Sequence, residues 1–120
     1  MGARAAQERM KPRAGPPPTA AEKRHHDRVR ALGCLISRGP ATIHHVTGYA
    51  DRPGRFSRSH RLVVPLAPKY HQIQHGSRES VEALSHQGFA RRYGIDLFAT
   101  AKRFRTESIN LGILPQVEGE

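Results

Sequence analysis

The longest unbroken apolar run in the chain is Leu62-Val63-Val64-Pro65-Leu66-Ala67-Pro68, seven residues of which two are proline. Nothing approaches the roughly 18 to 20 apolar residues that span a bilayer, and the basic N-terminus carries no apolar stretch of signal-peptide length. The expectation is a soluble, cytoplasmic protein with no membrane partner. With 37% hydrophobic residues over 120 positions, the chain supports one small core and excludes a large enclosed cleft. A single cysteine, Cys34, excludes an internal disulfide and fits a reducing compartment. It reads as a small buried hydrophobe rather than a reactive thiol.

Charge narrows the partner. Lys and Arg number 20 against 10 Asp and Glu, a formal net charge of +10, and such a field draws polyanions and favours phosphate contact. Nucleic acid is the leading partner class.

Glycine and proline punctuate the chain into short elements. Residues 1–19, MGARAAQERMKPRAGPPPT, hold too few large apolar side chains to offset their ordering and read as a disordered basic arm. Ala20–Leu32 reads as a helix ended by Gly33, with His25 and His26 on a solvated, charged surface. Cys34–Ile36 and Ala41–Ile43 flank Ser37-Arg38-Gly39-Pro40, which predicts a turn between two short strands. His44 and His45 follow at the second strand's end. A loop over Gly48–Ser59 carries Asp51, Arg52, Arg55 and Arg58, and Leu62–Leu66 resumes an extended course.

Pro68 is placed to open a helix, on which His71 and His75, four apart, would share a side. A helix over Ser80–Tyr93 would bury Val81, Leu84 and Phe89 and close at Gly94, and another over Asp96–Ile109 would bury Leu97, Phe98, Ala101 and Phe104. Residues 112–120 read as a frayed tail, leaving 20–111 as the folded domain. The fold class is α+β.

Phosphodiester hydrolysis needs imidazole or carboxylate ligands for a divalent metal, and a base that deprotonates water. A His-His pair at a strand end suits this, because neighbouring side chains point to opposite sides. One can bind metal while the other stays a base. Eight histidines also allow such pairs to arise by chance.

The order of these motifs, IHHVTGYADRPGRFSRSH, then RLVVPLAPKYHQIQH, then FARRYGIDL, resembles the His-Asn-His, or ββα-metal, nuclease family. The likeness is to the phage-type branch that includes the RecA-dependent recombination-enhancement nuclease. It covers Arg28 to Leu111 and implies a small ββα-metal core with an N-terminal helix and C-terminal helices. By this resemblance His44, His71 and, less directly, His75 would hold one divalent ion (Mg, Mn or Zn), with His86 a competing ligand. His45 would be the general base, and His60, at the place of the family's central Asn, would orient it or the scissile phosphate. Arg52, Arg55, Arg58, Arg61 and Lys69 are the expected DNA-phosphate contacts. A RecA-like filament is implied as a further partner.

Many relatives brace this fold with a structural zinc. Its four ligand places here read Cys34, Ser37, Ala67 and Tyr70, so a complete structural zinc site is not expected. Packing of Tyr70 and Leu66 against Ile36 would replace it. The expected function is metal-dependent endonuclease action on DNA with low sequence specificity. Its rivals are a non-catalytic DNA-binding module derived from such a nuclease, and a small interaction protein whose histidines bind metal for stability.

Overall fold

A computed structural model describes residues 16–47 and 58–120. Among the described residues it is an α+β domain in the order α1 (Ala20–Ala31), β1 (Thr42–His45), β2 (Val63–Leu66), α2 (Pro68–His71), α3 (Val81–Tyr93) and α4 (Leu97–Asn110). The strands pair antiparallel with Thr42 opposite Leu66 and His45 opposite Val63, and α2 starts straight after β2. The ββα succession is thus present. No helix among the described residues is long and apolar enough to cross a membrane.

Local chemistry sets the boundaries of α1. The Thr19 hydroxyl accepts the Glu22 N–H at 3.1 Å and the Glu22 carboxylate accepts the Thr19 N–H at 2.8 Å, a reciprocal cap that starts the helix. Beyond its end, Gly33 has φ +85°, and a Cβ there would lie 2.8 Å from the Arg38 carbonyl oxygen. Only glycine fits that approach.

The expected strand over Cys34–Ile36 is a turn instead. Cys34 N–H donates to the Gly39 carbonyl and Arg38 N–H to the Cys34 carbonyl, each at 2.9 Å. The Cys34 Sγ accepts the N–H groups of Ile36 and Ser37 at 3.4 Å. These bonds consume the groups a strand ladder would use. One of them reaches the sheet, Leu35 N–H donating to the Pro65 carbonyl at 3.1 Å.

A second departure follows β2. Helix α2 stops at His71, and Gln72 is extended (φ −118°, ψ 140°). The chain then folds back so closely that a Cβ on Gly76 would sit 1.9 Å from the Lys69 carbonyl oxygen, while the Glu82 carboxylate takes the Ile73 N–H at 2.8 Å. Tertiary contacts, not a local breaker, end the helix. Helix α3, capped by the buried Ser80, is interrupted at Ser85 (φ 68°, ψ 168°) before it resumes to Gly94.

All of β2 is buried. Helices α1 and α4 pack on it, α2 contacts both strands, and α2 and α3 contact each other. Val29, Cys34, Val46, Val63, Val64, Leu66, Phe89, Leu97, Ala101 and Phe104 form the core, with Ile36 and Tyr70 against it. Phe89, Tyr93 and Tyr70 stack in sequence, with ring centroids 4.6 and 5.8 Å apart, and join α3 to α2. Within 112–120, expected to be a frayed tail, two residues are anchored. Leu114 is buried, and the Glu120 carboxylate pairs with the Arg61 guanidinium, one bond measuring 2.7 Å.

Candidate metal centre

Strand alternation sends His44 and His45 to opposite sides of β1, and each meets its own group of imidazoles. On the side of α2 and α3, His44 Nε2 lies 2.9 Å from His86 Nε2, and the His44 and His71 ring centroids are 5.0 Å apart. The Thr42 hydroxyl donates to the Leu66 carbonyl at 2.6 Å, so its oxygen accepts Nδ1–H of His71 at 2.8 Å. That contact leaves the lone pair of His71 on Nε2. An outer partner fixing the tautomer in this way is what metal-ligating histidines ordinarily have.

The His44–His86 contact, at 2.9 Å, is a hydrogen bond between the two rings, slightly closer than the roughly 3.0–3.4 Å between two imidazole nitrogens bound at about 2.0–2.1 Å to one ion. Burial, followed by the neighbouring His71, His86 and His45, lowers the His44 pKa to about 3. Burial also lowers that of His71, with Glu82 opposing. Both rings are therefore neutral at physiological pH, the form that ligates.

On the other side, His45 Nε2 lies 3.0 Å from His60 Nδ1. His60 Nε2–H donates to the Pro16 carbonyl at 3.0 Å, so Nδ1 is the accepting nitrogen and His45 donates to it. His26, from α1, completes the group, its Nε2–H donating to the His60 carbonyl at 2.7 Å. Histidines 26, 45 and 60 lie close enough together to hold a metal ion. Burial lowers the His45 pKa to about 3, with Arg58, His60, His26 and His71 adding to it. Burial lowers His26 as well, against the His60 carbonyl, which raises it.

The expected residues divide accordingly. His44 and His71 come together, as do His45 and His60. His75 does not join them: with α2 ending at His71, it is exposed and beside Gln74. His86, reached across 42 residues of sequence, stands in its place. Arg61, expected on DNA phosphates, is buried and committed to Glu120 and the Pro115 carbonyl. Arg58 and Lys69 are exposed. Asp51, Arg52 and Arg55 lie outside the described residues, as do residues 1–15 of the basic arm.

His25 and His26 correct the expectation of a solvated surface, since both are buried. The available signal was Val29: positions three and four before a buried helical residue share its face. His25 Nε2–H donates to the Arg61 carbonyl at 3.1 Å, and its Nδ1 accepts from the Ser108 hydroxyl at 2.7 Å. It ties α1, the lead into β2 and α4 together. At the places of a structural zinc, burial raises the Cys34 thiol, but hydrogen bonds from Ser37, Ala67 and Ile36 outweigh it and lower its pKa.

Comparison with known protein families, with curated proteins and with solved structures finds no match to the chain. The functional reading therefore rests on the side chains themselves.

Proposed function

We propose that the protein is a metal-dependent endonuclease that hydrolyses DNA phosphodiester bonds with little sequence preference. One observation carries the reading: adjacent histidines at the end of β1 are divided between a half-buried cluster, His44 with His71 and His86, and a second pair, His45 with His60. One strand thus carries both a member of the proposed ligand set, His44, and the proposed base, His45. The +10 net charge supports a polyanionic substrate.

In this mechanism His44, His71 and His86 would hold the ion. Their donor set, all imidazole, suits zinc and neighbouring transition metals better than magnesium. Such an ion, when bound, would supply positive charge against the scissile phosphate and its leaving oxygen. His45 takes the proton of the attacking water. A scissile phosphate beside it offsets the repulsion from Arg58 and raises its basicity towards the useful range. His60 orients the His45 ring through their 3.0 Å contact. Exposed Arg58 and Lys69 hold phosphates on either side.

The test is nicking of supercoiled plasmid in Zn²⁺, Mn²⁺, Mg²⁺ or EDTA, with single-stranded DNA as a second substrate and His45→Ala beside the wild type. Metal-dependent cleavage lost in His45→Ala is the expected result. No cleavage by either protein, with equal salt-sensitive DNA binding by both, sinks the nuclease reading and leaves a non-catalytic DNA-binding module.

A further inference from the structure

The imidazoles on the α1 side of β1 do more than brace a base. Three separate elements deliver them: His26 from α1, His45 from β1 and His60 from the segment entering β2. One nitrogen of each ring lies within 4.8 Å of the other two. His45 Nε2 and His60 Nδ1, 3.0 Å apart, have roughly the 3.0–3.4 Å spacing of two nitrogens on one ion, and both can ligate once the His45 ring proton moves from Nε2 to Nδ1.

The surroundings are those of a ligand set. His26 and His60 each donate one ring N–H to a backbone carbonyl, of His60 and Pro16 respectively. Such outer acceptors fix the tautomer and aim the ring in known metal sites. Three imidazoles without a carboxylate select zinc, cobalt, nickel or copper over magnesium and calcium. The nearby charges are Glu22, Arg30 and Arg58. Glu22 is occupied by the Thr19 N–H, and Arg58 is exposed, able to turn its charge into solvent.

We propose that His26, His45 and His60 form a second transition-metal site, distinct from the cluster of His44, His71 and His86, and that filling it withdraws His45 from its role as base. The site itself stands without the nuclease reading; only the inhibitory consequence rests on it. Zinc then has two opposed effects, activating at the first site and silencing at the second.

The experiment titrates the full chain, stripped with EDTA, with Zn²⁺ against a chromophoric chelator. The wild type is expected to bind two equivalents. His26→Gln, whose amide still donates to the His60 carbonyl, and His60→Gln are each expected to lose one, or to weaken it by about tenfold or more. His71→Gln is expected to keep the equivalent that depends on His26. Wild-type stoichiometry and affinity in both His26→Gln and His60→Gln overturn the proposal. Should the variants misfold, long-range ¹H–¹⁵N spectra of the wild type decide: Zn²⁺ either shifts the ring nitrogens of His26, His45 and His60 or leaves them, and the latter refutes the site. In the plasmid assay, wild-type cleavage should rise and then fall with Zn²⁺, whereas His26→Gln should rise and hold. Absence of all cleavage defeats the nuclease reading alone, because the stoichiometry judges the site separately.

Discussion

His25 makes the stability of the fold acid-sensitive, by an amount its surroundings define. The ring is fully buried. Its Nδ1 accepts from the Ser108 hydroxyl, whose oxygen in turn accepts from Arg28 at 2.9 Å. Protonating Nδ1 would aim two cationic N–H groups at one hydroxyl oxygen and strand the hydroxyl hydrogen. Burial first, offset by the Arg61 carbonyl and reinforced by His26, Arg28 and Arg61, lowers the pKa from 6.5 to about 4. The unfolded chain, with the ordinary value, binds the proton more readily below pH 6.5. The neutral ring's contribution is therefore complete above that pH, is lost as pH falls from 6.5 to about 4, and then levels off. At about 1.4 kcal/mol per pH unit the whole effect is about 3 kcal/mol, of which about 2 kcal/mol falls between pH 7 and pH 5. Urea unfolding followed by circular dichroism, in EDTA at those two pH values, compares the wild type with His25→Gln. The variant keeps an amide that donates to the Arg61 carbonyl but has nothing to titrate. His44 and His45 contribute to the acid loss in both proteins, so the quantity read is the difference between the two losses. The wild type should lose about 2 kcal/mol more, a midpoint difference of roughly 1–2 M urea. Equal losses would refute the reasoning, whatever the variant's stability at pH 7.

Removing His86 rather than His75 should disable the α2–α3 cluster: His86→Ala is expected to weaken Zn²⁺ binding there by about tenfold or more, and His75→Ala to leave it unchanged, by chelator competition. Thr42→Val removes the hydroxyl that fixes the His71 tautomer and should weaken the same equivalent about 10- to 100-fold for about 1 kcal/mol of stability. Thr42→Ser should restore both, and failure of that rescue would make Thr42 a packing residue only. Glu120→Gln should release Arg61: DNA affinity rises, the slope of log K against log salt steepens by about 1, and stability falls by about 1–2 kcal/mol. Arg61, through a side-chain hydrogen bond and its charge, lowers the Glu120 pKa, with burial opposing. The stability from this pair is thus present above the usual carboxylate pKa and lost as pH falls through the lowered one.

Elements set by local chemistry were legible in the chain. Thr19, Asp96, Gly33 and Gly94 mark helix ends by caps and backbone freedom that act within a few residues. The alternation at His44 and His45 likewise needed only the strand period. What was not legible depends on distant partners. Cys34–Ile36 has a strand's composition, but the Cys34 thiol and the Gly39 carbonyl draw its N–H groups into a turn. Helix α2 has no breaker before Gly76, and its end at His71 comes from contacts with Lys69 and Glu82. The burial of His25 and His26 was hidden because α1 presents few other apolar residues. Its inward face has to be completed by imidazoles that find carbonyl and hydroxyl partners on β2's lead-in and on α4.

The two roles argued for His45 follow from one geometric fact. A two-stranded sheet is one residue thick, so a helix must cover each face, and consecutive residues of β1 belong to different surroundings. A slip of one residue in register would exchange His44 with His45, moving the proposed ligand to the α1 side and the proposed base to the α2 side. Register is held where β1 begins: Thr42 is opposite Leu66 and its hydroxyl donates to the Leu66 carbonyl, while that same oxygen holds His71. One side chain thus sets both the division of the histidine pair and the tautomer of its partner. With the division set, His45 faces His60 across 3.0 Å, and its neutral ring has a single lone pair to give. It can take a proton from water or bind an ion shared with His26 and His60, and the two uses exclude each other.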